Sequence, residues 1–549
     1  MVTIDYVVFI SFLVGLFIVG SILYKWVGEP DDYFVAGRNL PPFILAATLV
    51  ATNVNLYSFI GQTGAAYQEG ISIVWQAWTG NMAIVFSGLF ILPIFRRLRV
   101  RTVPEYLELR YNRLVRSLVG LLWVFRLAFW LGVTMYTGAI AAETLTGIHS
   151  FTLWLFVFGI IAITFTTLGG MWSVALTDAL QFVLMLGGAL ILLPLAMKSV
   201  GWTPGLIDKL PQGHFEFVKQ HGNYNWQFML AILVLGIQWA STDQGMIQRT
   251  FSANSVRTIV KGMVWAGIIT TPFILIILLP GLVAAVNTPG LENIDVAYPM
   301  MMAKTLAPFL LGLMVCGLFS SHLSTVDSNL NAVATVFTAD IYQAVFNRQA
   351  SKKNVLWVAR LTTILAGVLM ILVAYIVPLL GGAVQAYLTI ISIMDMPLFV
   401  VAVIYGLLWR RSNWQGALAG YLAGALAGIV ARFGFGVDVN VTTFISAGAA
   451  LVVCPIVSLL TPLTDENQLL TIWKAKKADQ EEHTLGQAYH IFPHSFWAKT
   501  GTLVLGLGLV SFVTGALIGS TGHSFLASIF AIGGMLVFFA GGLIKVYAR

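Results

Sequence analysis

The chain has 549 residues, 58% of them hydrophobic and only 10% charged, with a mean hydropathy of +0.86. Soluble domains carry about 25% charged residues, so the composition excludes a soluble globular protein and implies an all-α polytopic membrane protein whose length is spent on spans. The net charge of +7 is scattered over short loops, which excludes a nucleic-acid surface, and the two cysteines, Cys316 and Cys454, both fall in apolar stretches, which excludes a disulfide framework or a cysteine metal cluster.

Stretches of about 20 apolar residues, enough to cross about 30 Å of hydrocarbon, recur from end to end. About 15 transmembrane helices are expected, at roughly 4–25, 41–67, 72–96, 114–144, 151–169, 176–199, 226–247, 257–287, 303–343, 355–379, 385–409, 413–434, 441–462, 498–520 and 524–546. The first has Asp5 before it and Lys25 after it, without a basic leader or a small-residue cleavage site, and is expected to be retained rather than removed as a signal peptide.

The second span reads AATLVATNVNLYSFIGQTGAAYQ, with Thr52, Asn53, Asn55 and Ser58 near its middle, where a simple anchor would have apolar residues. The seventh reads ILVLGIQWASTDQGMIQRT and is interrupted in the same way by Gly236, Ser241, Thr242 and Asp243. The two are five spans apart, an odd number, so they cross in opposite directions, as corresponding helices of an inverted repeat do. Broken helices at matching places point to a midplane binding site in a secondary transporter, because unwound backbone is tolerated only where it lines a cavity.

In the ninth span Ser321, Ser324, Thr325, Ser328 and Thr335 fall at helical spacings, so their oxygens form one stripe, and Asp327 leans the same way. A carboxylate at bilayer depth costs about 2.5–3.5 kcal/mol, which a cation, a proton or a partner offsets. Hydroxyls and a carboxylate suit a hard cation, so the stripe reads as an ion site. Farther on, Gly416, Gly420, Gly424 and Gly428 repeat every four residues and predict a close helix contact. The polar segment 464–497 is too short and too poor in aliphatic residues to be an independent domain.

Basic residues choose the orientation. One set of alternate loops holds Arg96, Arg97, Arg99, Arg101, Arg110 and Arg113, then Arg249, Arg257 and Lys261, then Lys352 and Lys353, then Arg410 and Arg411, then Lys474, Lys476 and Lys477. The opposite set is nearly free of them, apart from Lys209 and Lys219. The positive-inside rule then predicts an outside amino terminus and a cytoplasmic carboxyl terminus, in the plasma membrane or, for a bacterium, the inner membrane. Arg126 is the only arginine that this reading places deep in a span, where it is expected to snorkel or pair rather than bind a substrate carboxylate.

The segments ATNVNLYSFIGQTGAAYQEG (51–70), RVRTVPEYLELRYN (99–112), LGGMWSVALTDALQ (168–181), STDQGMIQRTFSANS (241–255), TADIY (338–342) and YGLLWRRSNWQGALAG (405–420), in this order, resemble the sodium/solute symporter family, which contains the sodium/glucose cotransporters. The resemblance implies a LeuT-type core of five plus five helices in inverted repeats. The expected organisation is an extra helix and cytoplasmic loop (1–40), a first repeat (41–200), an extracellular loop (201–225), a second repeat (226–410), accessory helices (411–463), a cytoplasmic loop (464–497) and carboxyl-terminal helices (498–549).

Matched residue by residue, the resemblance implies a sodium ion held by the carbonyls of Ala51, Val54 and Ser321 and the hydroxyls of Ser324 and Thr325. A possible second cation falls to Asp178, Asp327 and Ser328; the carboxylate of Asp327, where the family has a hydroxyl, makes this a stronger cation site or a proton site. At the family's galactose contacts this chain has Ser58, Ala77, Gly80, Gly236, Val296 and Thr389, so the same sugar contacts are not repeated. Asn55, Gln62, Gln76, Gln238 and Gln385 offer replacement donors, and Trp239 matches the aromatic that flanks the sugar. Asp243, in a TDQ segment typical of the animal glucose and inositol branch, is expected to bond to the broken backbone.

The expected activity is sodium-coupled import of a small polar solute, a sugar or polyol first and a sialic acid or other organic anion second. The competing class is a proton-coupled transporter using Asp327 or Asp178. No repeated pore loop or charged ring suggests a channel. No HExxH, Walker loop or Ser–His–Asp set suggests an enzyme; His322 points about 200° round its helix from Ser324. Oligomeric state is left open.

Overall fold

The computed structural model describes residues 1–23, 29–38, 40–380, 383–477 and 489–547. Lys25 and most of the later part of the 464–497 segment, 478–488, lie outside the described residues, as do the side chains of Lys476 and Lys477. Among the described residues the chain is helical, without a β-strand.

The principal helices are α1 (Thr3–Leu23), α2 (Pro42–Asn53), α3 (Ser58–Glu69), α4 (Val74–Phe90), α5 (Val103–Arg110), α6 (Arg113–Thr146), α7 (Phe151–Val200), α8 (Trp226–Thr242), α9 (Gln244–Phe251), α10 (Val256–Asn287), α11 (Leu310–Val336), α12 (Lys352–Ala374), α13 (Gln385–Leu408), α14 (Trp414–Ile429), α15 (Val439–Leu460), α16 (Glu466–Lys477), α17 (Phe496–Gly519) and α18 (Ser524–Tyr547), with shorter helical segments between some of them. Side-chain oxygens start many of them: Asn112 on Val115 N (3.0 Å), Ser255 on Thr258 N (3.1 Å) and Asn413 on Gly416 N (2.9 Å) each accept from an amide that the helix itself cannot satisfy. At α11 the cap comes from afar, since Asp5 Oδ1 accepts from Phe309 N (2.8 Å) and Gly312 N (3.0 Å) and so seats α1 on the start of α11.

Ten helices among the described residues are long and apolar enough to cross a membrane, or eleven if the bent pair α2 and α3 counts as one. The sequence expectation of about fifteen is therefore not established. The difference lies in α1, α4, α8 and the first part of α7, which are present as helices but are too short or too polar for that test over the residues described.

α7 is helical from Phe151 to Val200, yet it folds back on itself. Phe158 stacks on Phe319 of α11 at 4.7 Å and Thr166 reaches Asp327 at 2.9 Å, whereas Asp178 meets Ser324 and Gly188 packs on Met314. A straight helix would carry Gly188 about 45 Å past Phe158, but Met314 and Phe319 are only about 7.5 Å apart along α11. The chain descends along α11 to Thr166, reverses, and returns from Asp178, which gives the two expected arms 151–169 and 176–199.

The glycines of α14 do make the predicted contact. A Cβ at Gly420 would lie 2.7 Å from Cys454 Cβ of α15, and one at Gly424 2.7 Å from Pro397 Cβ of α13. A second contact went unread in the sequence: Gly501, Gly508 and Gly515 of α17 face Gly541, Gly534 and Ala531 of α18, where a Cβ at Gly508 would sit 2.3 Å from Phe538 N. Spacing by seven keeps the glycines on one face of a helix, so two backbones touch.

The two sets of alternate loops lie at opposite ends of the bundle. At the basic end Arg97 donates to Tyr489 O (2.8 Å), Gln468 of α16 donates to Tyr111 O (2.7 Å), and Arg110, fully buried, donates to Gly406 O (2.8 Å). At the other end the 201–225 loop covers α3 and α4, with Ile71 N on His214 O (2.8 Å) and Trp75 Nε1 on Phe217 O (2.7 Å), and Ser524 donates to Val218 O (2.7 Å).

Candidate functional site

Both expected breaks are present. α2 stops at Asn53, Val54 is extended (φ −99°, ψ 97°), and α3 resumes at an angle of 50°. α8 stops at Thr242, Asp243 is extended (φ −66°, ψ 121°), and its carboxylate caps α9 by accepting from Met246 N at 3.0 Å. Asparagine, threonine and aspartate compete with the helix for backbone hydrogen bonds, so such residues end a helix cheaply where a cavity gives the freed groups something to bind.

The α11 stripe faces the first break. Ser321 Oγ donates to Val54 O at 3.2 Å, and Thr325 Oγ1 donates to Ser321 O at 3.1 Å. Val54, Ser321 and Thr325 are thus brought together, with Ala51 buried in the last turn of α2, where carbonyls lack intrahelical partners. The hydroxyl of Ser324 donates to Asp178 Oδ1, which leaves its oxygen lone pairs free to act as a ligand. These are oxygen donors only, the set that a hard cation takes.

Two of the three expected second-cation residues, Asp178 and Ser328, sit around an arginine. Asp178 Oδ2 accepts from Thr48 Oγ1 and from Arg249 Nη2 (3.2 Å), and Arg249 Nη2 also donates to Ser328 Oγ. Arg249 Nε donates to Thr48 Oγ1 (2.9 Å) and Nη1 to Gly245 O (2.6 Å), so a fully buried guanidinium ties α9 to α2, α7 and α11. Arg249 is therefore not the loop charge expected from sequence, and Arg126 is not the only deep arginine. α9 continues for eight residues past the break and carries Arg249 inward, where Asp178 supplies a counter-charge. Asp327 stands apart from this network, accepting from Thr166 Oγ1 at 2.9 Å.

Between the breaks lies a narrow cavity of about 90 Å³. Asn55, Ser58, Gln62, Gln76 and Trp239 line it, as do Ala77, Gly80, Gly236 and Thr325. An aromatic wall closes one side, with the rings of Trp130 and Tyr387 4.6 Å apart and those of Tyr57 and Tyr387 5.5 Å apart. Gln76 Nε2 donates to Tyr57 OH (2.9 Å) and Gln62 Nε2 to Gln76 Oε1 (3.1 Å), so the amides are held in place while Gln62 Oε1 remains a buried acceptor without a partner.

Gln385 and Thr389 do not line the cavity; Tyr387 and Ile391 of the same helix do. Residues two apart on a helix point about 200° away from each other, so α13 can present only one of these pairs inward. Gln238 is likewise turned away, donating to Thr242 Oγ1 at 2.9 Å. His322 packs against Phe158, with ring centroids 5.0 Å apart, on the far face of α11 from the first break.

Sequence reasoning missed several lining residues, Tyr57, Trp130, Tyr387 and Asn329, and named Arg126 and Asp243 without placing them on the cavity. Arg126 is paired, as expected. Its Nη1 lies 2.7 Å from Asp243 Oδ2 and its Nη2 2.6 Å from Asp395 Oδ2, with Nε 2.9 Å from the same Asp395 oxygen. Asp243 therefore both caps α9 and pairs with Arg126. Asn329, one turn beyond Thr325 on the stripe, was legible by spacing; the partners of Arg126 were not, since they lie 117 and 269 residues away.

A family model described as the sodium:solute symporter family matches residues 33–424. The chain belongs to the sodium:solute symporter family. It is a sodium-coupled, multi-pass membrane transporter and not an enzyme. Among its relatives, a sodium/glucose cotransporter of Vibrio parahaemolyticus is 30% identical over 430 residues, 72% of this chain and 78% of that one. A human sodium/myo-inositol cotransporter 2 is 29% identical over 461 residues, 76% of this chain and 68% of that one. The fold is shared with a Na+-coupled sialic acid symporter solved in a substrate-bound outward-open state, at a TM-score of 0.78 and 21% identity over 85% of this chain and 99% of that one. Mhp1, a nucleobase-cation-symport-1 family transporter, is more distant, at a TM-score of 0.55 and 16% identity over 81% of this chain and 99% of that one.

Proposed function

We propose that this symporter carries a neutral polyhydroxy solute, a sugar or polyol, by alternating access, with Na+ lodged between the first break and α11. The observation that carries the solute reading is the lining of the cavity. Fixed amides at Gln62 and Gln76 meet hydroxyls, and the rings of Trp130, Tyr387 and Trp239 offer flat faces to the C–H side of a ring. The sodium/glucose and sodium/myo-inositol relatives support the same class.

The sodium ligands are the carbonyls of Ala51, Val54 and Ser321 and the hydroxyls of Ser324 and Thr325. In the second-cation position at Asp178 and Ser328, Arg249 supplies the positive charge from the chain itself, and one Na+ per cycle follows. Na+ draws α2 toward α11 and so favours the conformation that admits solute; each ligand then raises the affinity for the other by the same factor. Rocking of one helix bundle against the other opens the opposite path. A tenfold sodium gradient and 100 mV give about 1.4 and 2.3 kcal/mol, so one ion sustains accumulation of a few hundredfold. The basic end of the bundle is the cytoplasmic one, with the amino terminus outside.

The test is uptake into vesicles at fixed pH while sodium is varied, with glucose, myo-inositol and their relatives as solutes. Saturable dependence on sodium with a neutral solute is expected. Uptake driven by a proton gradient in the absence of sodium would transfer the coupling role to Asp327 and overturn this reading.

A further inference from the structure

Arg126 is 2% exposed and is the one basic side chain among the described residues that line the central cavity. An arginine in such a place would ordinarily announce an anionic ligand, since its fork of N–H donors matches a carboxylate. Here the fork is already charge-paired on both sides, by hydrogen bonds from Nε and Nη2 and by an ion-pair contact without hydrogen-bond geometry at Nη1. Nε and Nη2 both reach Asp395 Oδ2 (2.9 and 2.6 Å) from behind the cavity wall, and Nη1 reaches Asp243 Oδ2 (2.7 Å) at the second break. The three groups come from α6, from the turn between α8 and α9, and from α13, so separate elements converge on one guanidinium.

The charge balance follows directly. Two carboxylates face one guanidinium, and the triad has no surplus positive charge as long as either carboxylate is ionised. At the other pole of the centre Asp178 pairs with Arg249, while Asp327 accepts from Thr166, so no unpaired basic group faces that side either. A carboxylate on the solute would have to displace Asp243 or Asp395 from Arg126 and leave it buried without a counter-charge, which costs more than the new pair returns. A neutral hydroxyl meets no such penalty and can accept or donate beside Asp243. Rejection built from an unpaired charge is the usual way in which a site of this kind discriminates between solutes.

We infer that the Asp243–Arg126–Asp395 triad is the charge filter of this transporter: the two aspartates clamp Arg126, so the cavity takes neutral polyhydroxy solutes and refuses organic anions of the same shape. The inference rests on the reading of the cavity as the solute site. Removing one carboxylate frees part of the guanidinium fork for a solute carboxylate and reverses the preference.

The experiment measures thermal stabilisation of the purified full-length chain in saturating NaCl, titrated with matched probes: glucose against glucuronate, myo-inositol, and N-acetylneuraminate. The wild type is expected to prefer glucose over glucuronate by at least tenfold. Asp395→Asn and Asp243→Asn, each checked for retained stabilisation by Na+, are expected to gain at least tenfold in affinity for an anionic probe, and adding Arg126→Met to Asp395→Asn is expected to abolish the gain. Equal binding of glucose and glucuronate by the wild type would overturn the filter, and so would folded single variants that gain nothing. Should neither single variant fold, the wild-type comparison decides alone. If no neutral probe binds any form while the aspartate variants gain anion binding, the sugar or polyol reading falls and the filter stands.

Discussion

Replacing Arg249 by methionine tests how the buried charges around the centre are balanced. In the native chain the guanidinium holds Asp178 (3.2 Å), Thr48 (2.9 Å), Gly245 O (2.6 Å) and Ser328, and all of these side chains are buried. Arg249→Met keeps most of the volume but leaves Asp178 with only the hydroxyls of Ser324 and Thr48. Breaking one partner out of a buried ion pair costs about 3–5 kcal/mol. With an unfolding entropy of about 2.1 cal/mol/K per residue over 549 residues, that corresponds to a fall in Tm of about 3–4 °C. Adding Asp178→Asn removes the stranded charge, so the double variant should be more stable than additivity predicts by about 2 kcal/mol or more.

Sodium gives a second readout of the same substitution. With the guanidinium gone, Asp178, Ser324 and Ser328 present oxygens without a resident cation. Replacing KCl by NaCl should therefore restore part of the lost Tm in Arg249→Met, and the Hill coefficient for Na+ should rise above that of the wild type. Scanning fluorimetry and equilibrium sodium titration measure both. Additive effects of the two substitutions, together with an unchanged Hill coefficient, would refute the view that Arg249 stands where a second cation would bind.

Thr325→Val and Ser324→Ala each remove one sodium-facing hydroxyl and should raise the half-saturating sodium concentration of uptake at least tenfold while leaving solute affinity at saturating sodium within a few-fold; unchanged sodium dependence would reject the assignment. Gly508→Leu places a side chain where even a Cβ would lie 2.3 Å from Phe538 N, so it should separate α17 from α18 and lower Tm by about 1–3 °C without changing sodium affinity. Asp295, in the short turn Ile294–Val296 after α10, has its carboxyl pushed up to about 6 by burial. A raised native pKa contributes stability that is fully present below the unfolded value of about 4 and is lost as pH rises through about 6. The Tm of the wild type should accordingly fall more between pH 5 and pH 7.5 than that of Asp295→Asn, and identical pH profiles would show that the carboxyl is not held in this way.

The sequence alone determined the helical elements and where two of them break. Runs of apolar residues can be stable only as buried or lipid-facing helices, and polar interruptions at 52–58 and 241–243 can persist only beside a cavity; both breaks are where those residues placed them. The serine and threonine stripe of α11 follows from helical spacing, which is a local property, and so does the glycine face of α14.

Only the tertiary structure decided which charges meet. Arg249 reads in sequence as one of several basic residues after a span, and Asp395 as an isolated acid, because an ion pair is fixed by distance in space and carries no periodic signature along the chain. The same holds for the choice of Tyr387 and Ile391 over Gln385 and Thr389, which depends on the rotation of α13 about its axis against its neighbours. Helix formation is set by residues within a turn or two of each other, but helix rotation and charge pairing are set by packing among elements hundreds of residues apart, and so the helix breaks and the hydroxyl stripe were legible and the charge pairs were not.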